Sequence, residues 1–71
     1  MKIEKRVLGS NGDFLALAQE RFNVYKNDNR LFLYENNTEY VFFINDLIQQ
    51  GLIKEINSLN NIVEYETQYK N

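Results

Sequence analysis

The stretch Arg30-Leu31-Phe32-Leu33-Tyr34-Glu35-Asn36-Asn37-Thr38-Glu39-Tyr40-Val41-Phe42-Phe43 decides the fold. Two runs rich in aromatic and branched residues flank a pair of asparagines, and asparagine tolerates the positive φ angles that a two-residue hairpin turn requires. Folding about that turn sets Leu33 opposite Tyr40 and Leu31 opposite Phe42 on one side, with Phe32 opposite Val41 on the other. Both faces of the hairpin thus carry large apolar groups and need cover. The rest of the chain can supply part of it, and homodimerisation could supply more.

Working outward toward the N-terminus, Asn27-Asp28-Asn29 is a polar break whose short side chains compete with the backbone. Before it, Phe14, Leu17, Ala18, Phe22 and Tyr25 recur at three- and four-residue spacing, which predicts an amphipathic helix from Asp13 to about Lys26. Ser10, Asn11 or Asp13 can cap it, in the turn Gly9-Ser10-Asn11-Gly12. Earlier still, Ile3, Lys5 and Val7 alternate with Glu4, Arg6 and Leu8 as in a strand with one buried face.

Working toward the C-terminus, Asn45 or Asp46 can cap a short helix through Leu47, Ile48 and Leu52, with Gly51 as a left-handed residue near its end. Two further β-like runs, Ile53 to Ile56 and Ile62 to Tyr69, surround a polar turn at Asn57 to Asn61. The expected order is β-α-β-β-α-β, with one more strand optional. It describes a small single α+β domain over residues 1–71, ferredoxin-like or a related curved antiparallel sheet with two helices packed on one face. That plan hosts many activities and selects none.

Seventy-one residues leave room for one core, and the absence of cysteine and histidine removes disulfides, thiolate metal sites and imidazole ligands. A hydrophobic share of 44% places the chain outside the composition of disordered segments. Its longest apolar runs, such as Tyr40 to Ile44, fall far short of the roughly 20 residues that span a bilayer. With no apolar leader at the N-terminus, a cytoplasmic location away from membrane is the expectation. The wealth of Asn, Ile, Lys, Tyr and Phe beside no Pro, Trp or His is the vocabulary of A- and T-rich codons, which suggests a low-GC bacterium or one of its phages. The net charge of −2 is unevenly spread: residues 1–30 hold six bases and four acids, residues 31–71 two bases and six acids.

Catalytic chemistry finds little to use. Ser10 and Ser58 lie in expected turns without a base beside them, and Glu64 and Glu66 project from one strand face with no sign of a cleft. Asp28 between two asparagines lacks the glycine and bidentate glutamate of a calcium loop. Gly9-Ser10-Asn11-Gly12 lacks the lysine of a phosphate-binding loop, and Asp13 stands where an anion would sit. Neither a catalytic residue nor a cofactor or metal is therefore expected.

Binding is better provided for. The run Leu47-Ile48-Gln49-Gln50-Gly51-Leu52-Ile53-Lys54, followed by a turn and Ile62-Val63-Glu64-Tyr65-Glu66, resembles the last helix and wing of a winged-helix domain. That resemblance implies a nucleic-acid-binding regulator assisted by Lys2, Lys5, Arg6 and Lys54. It covers the last third of the chain, and its reading helix would hold Asp46 and no base. Aromatic Tyr40-Val41-Phe42-Phe43 invites comparison with the RNA recognition motif, without that motif's basic opening, and an acidic balance opposes phosphate binding. The leading expectation is instead a non-catalytic protein-interaction module, an accessory or inhibitor protein of a phage or mobile element. Its contact surface would be acidic and tyrosine-bearing, made of Glu35, Glu39, Tyr40, Glu64, Tyr65 and Glu66, and would engage another protein.

Overall fold

The computed structural model describes residues 2–69. Its elements are β1 (Lys5–Leu8), α1 (Asn11–Leu17), β2 (Arg21–Tyr25), β3 (Arg30–Glu35), β4 (Thr38–Phe43), α2 (Ile44–Gln49), β5 (Ile53–Leu59) and β6 (Ile62–Thr67). The α+β class is as expected, and so is the central hairpin. Asn36 and Asn37 take φ of 52° and 60°, the pair of positive angles that lets a two-residue turn match the twist of its strands. Leu31 faces Phe42, Phe32 faces Val41 and Leu33 faces Tyr40.

The helix expected from Asp13 to Lys26 is half helix and half strand. Ser10 caps α1 in a reciprocal box: Asp13 N–H donates to Ser10 Oγ at 3.1 Å, and Ser10 N–H donates to Asp13 Oδ2 at 2.9 Å. The helix then stops at Leu17, and the carbonyls of the segment that follows it are held by the far end of the chain. Tyr69 Oη donates to Ala18 O at 2.9 Å, Thr67 Oγ1 to Gln19 O at 2.8 Å, and Thr67 N–H to Glu20 O at 2.8 Å. Phe22 and Val24, spaced by two, then line one face of β2. The four-residue step from Ala18 to Phe22 fits a helical stripe as well, which is why periodicity alone carried the helix too far.

The added strand changes the architecture. Six strands form two sheets of three, ordered β1-β4-β3 and β2-β6-β5, in place of a single ferredoxin-like sheet. In the first, β1 runs parallel to β4 and β3 antiparallel to it. The second is antiparallel throughout, with an irregularity between Glu55 and Asn57 that leaves Ile56 unpaired. Helix α1 packs against β3, and α2 against β4 and β5.

Helix α2 begins directly after β4, so neither Asn45 nor Asp46 caps it. Phe43 occupies the cap position with no side-chain bond to offer, and the break before β3 supplies one: Asn29 Oδ1 accepts from Asn45 N–H at 2.8 Å. At the other end Gly51 has a φ of 73°, as expected. Gly51 N–H donates to Ile48 O at 3.0 Å and Leu52 N–H to Leu47 O at 2.9 Å, with Leu47 and Leu52 both buried, which is the paired closure of a Schellman motif.

Phe42, Ile53, Val63 and Tyr65 from the two sheets, Phe14, Ile44 and Leu47 from the helices, and Leu52 after α2 form one core. Phe14 of α1 is fully buried and joins the two halves, meeting Phe42 of the first sheet edge-on at 5.5 Å and Phe22 of the second at 6.2 Å. A side chain at Gly9 would run into the Phe42 ring, so glycine lets β1 end close against the core.

Candidate interaction surface

The alternation of β-strands gives each sheet an outer face. On the first, register places Arg6, Glu39 and Tyr34 in one row and Leu8, Val41 and Phe32 in the next, with Phe43 and Arg30 beyond. Leu8 is 73% exposed, Tyr34 48% and Phe32 37%. Around these groups the charges are tied down: Arg6 Nε lies 3.4 Å from Glu39 Oε2, and the Arg30 guanidinium lies 5.8 Å from the Phe32 ring centre. The result is an apolar row across three strands, bordered by one ion pair and one guanidinium set over a ring.

Beside this face, at the edge of β3, a cleft of about 290 Å³ separates the strand from the end of α1 and the start of β2. Leu17, Ala18 and Phe22 form one wall, and residues 31–34 the other.

The outer face of the second sheet is more polar. Its rows are Arg21, Glu66 and Lys54, then Asn23, Glu64 and Asn57, then Tyr25, Ile62 and Leu59 at the hairpin end. Tyr25 and Leu59 are 68% and 69% exposed.

Among the residues expected to form an acidic surface, Glu64 and Glu66 do share one face, with Glu66 Oε2 3.5 Å from Arg21 Nε. Glu39 lies on the other sheet and is held by Arg6. Glu35, at the end of β3, has the opposite facing to Glu39, because it pairs with Thr38 while Tyr34 pairs with Glu39. Tyr40 is half-buried against the core, and Tyr65 is inside it, stacked on Phe22 at 5.8 Å. Burial, then the charge of Glu55 across the strand pair, raises the Tyr65 hydroxyl above its usual pKa. The six residues are therefore spread over both sheets and the core.

The basic set is equally dispersed. Lys2 is exposed before β1, Lys5 and Arg6 are successive residues with opposite facing, and Lys54 stands beside Glu66 on the second sheet. Among the described residues no cluster of three or more acids, histidines or cysteines could hold a metal ion, and no helix is long and apolar enough to cross a membrane. The exposed row of Leu8 and Phe32 was not anticipated as a site. Its signal was present in the two-faced apolar hairpin, but the strand that sets Leu8 beside Val41 could not be read locally. No protein-family model, no curated protein and no solved structure matches the chain.

Proposed function

We propose that this chain is a non-catalytic protein-interaction module that docks another protein on the outer face of its first sheet. The observation that carries this reading is the row Leu8, Val41 and Phe32, exposed at both ends and flanked by Tyr34. Apolar and aromatic groups gathered on a rigid sheet gain by leaving water and lose little entropy when a partner covers them. The Arg6–Glu39 pair at its border suits the polar rim of such a contact. Composition and small size support placing the module among the accessory or inhibitor proteins of a phage or mobile element.

The test is an affinity capture from lysate of a low-GC bacterium, treated with nuclease and washed at high salt, using the native chain and a Leu8→Ser/Phe32→Ser variant in parallel. One protein retained by the native chain, with affinity for the variant reduced about tenfold or more, is the expected result. A partner held equally by both chains would move the contact elsewhere. Recovery that vanishes with nuclease would favour a nucleic-acid-binding regulator using Lys2, Lys5, Arg6 and Lys54.

A further inference from the structure

We infer that β3 is a self-pairing edge, through which the β3 strands of two copies pair antiparallel and join their first sheets into one sheet of six strands. Gly9 N–H donates to Val41 O at 2.9 Å, so Val41 turns its backbone groups toward β1. Strand alternation then turns Tyr40 and Phe42 toward β3, and their partners Leu33 and Leu31 toward β4. The backbone groups of Phe32 and Tyr34 are left facing the open edge. Arg30 N–H, the other outward donor of this strand, is capped by Asp28 Oδ1 at 3.1 Å, whereas the N–H groups of Phe32 and Tyr34 have no acceptor among the described residues.

Free edges are ordinarily protected by shortness, bulges or charge. Strand β1 has four residues and presents Lys5 and Arg6, β2 carries Arg21, and β5 is interrupted at Ile56. Strand β3 has six residues, no irregularity, and charge only at its two ends, Arg30 and Glu35. That arrangement names the occupant. Antiparallel pairing of two β3 strands keeps the two Arg30 charges at opposite ends of the pair, whereas parallel pairing would set them side by side.

Facing limits the register to pairings of outward with outward residues, and the one inferred also gives Arg30 an aromatic partner. A two-fold axis at Phe32 sets Phe32 against its copy and Arg30 against the copy's Tyr34 on the outer face, an arrangement that extends the cation–π contact Arg30 already makes with Phe32. On the inner face Leu31 meets the copy's Leu33, directly over the cleft walled by Leu17, Ala18 and Phe22. The same apolar groups that line the cleft thereby close it. This pairing goes beyond the proposed docking function, since it uses the strand edge and leaves the outer face free, now doubled.

Sedimentation of the intact chain across a concentration series, with hydrogen exchange read at single amides, tests the inference. The expected result is a reversible dimer in which the amides of Phe32 and Tyr34 are protected, and lose protection on dilution to monomer. A Phe32→Lys/Tyr34→Lys variant, altered only at exposed side chains, is expected to raise the dimer dissociation constant at least about tenfold. A chain that stays monomeric overturns the proposal. So does a dimer whose Phe32 and Tyr34 amides exchange freely, which would be a face-to-face contact, and so does protection that arises only with a different protein bound. Exchange on the native chain decides the matter even where the variant fails to fold.

Discussion

Tyr65 lies in the core with the carboxylate of Glu55 directly across the strand pair, and both surroundings oppose its ionisation. Its folded pKa is above the unfolded one, so the native state holds this proton more tightly. The associated stability is fully present below the unfolded value near 10 and is lost as pH rises through the folded value. Urea midpoints measured across the alkaline range should accordingly fall above about pH 10, and Tyr65→Phe should make that decline shallower. An unchanged alkaline slope would remove Tyr65 from the account. Residues whose roles depend on their own backbone were the legible ones. The asparagines of the hairpin turn, Ser10 with Asp13, and Gly51 act through φ angles or through atoms three residues away, and sequence displays such separations directly. Tyr65 was legible as a strand residue but not as a core residue, because its facing depends on which strand is its neighbour.

Helix α2 shows how an element can be recognised while its support is misplaced. The apolar spacing and Gly51 marked its course, but the cap comes from Asn29, 16 residues away, and no local pattern announces a side chain arriving from another segment. Asn29→Ala should cost about 1 kcal/mol in chemical denaturation, with Asn29→Asp retaining most of the stability, since either side-chain oxygen accepts from the Asn45 amide. Equal losses in both variants would assign the effect to the turn before β3 instead. The boundary between α1 and β2 was hidden for a related reason. Phe14, Leu17, Ala18 and Phe22 satisfy the helical period, and the second half is extended because it pairs with β6, with Thr67 and Tyr69 holding the carbonyls just before it.

At the level of the whole molecule, Phe14 joins the two sheets from a fully buried position. It is the side chain against which Phe42 of one sheet and Phe22 of the other both close. Removing its ring should cost roughly 3–5 kcal/mol. Marginal domains commonly have roughly 0.05–0.15 kcal/mol per residue, so Phe14→Ala should abolish the cooperative thermal transition seen by circular dichroism. Phe14→Leu should lower its midpoint while preserving it. Two sheets rather than one could not be foreseen, because period and facing are local properties whereas the pairing of β1 with β4 joins Lys5 to Thr38. The candidate surface was obscured by the same limitation: the alternation that brings Glu64 and Glu66 together was readable, but the assignment of Glu39 to a different sheet was not.

The bonds by which Thr67 and Tyr69 hold the carbonyls of Ala18, Gln19 and Glu20 have a consequence in time. A ribosome makes the segment from Ala18 to Tyr25 long before it makes β6, and until then nothing withdraws those carbonyls from a growing helix. Over that interval the helical spacing of Phe14, Leu17, Ala18 and Phe22 faces no competing strand partner. Strand β6, made after both β2 and β5, is the central strand of their sheet, so neither neighbour has a strand to pair with until it arrives.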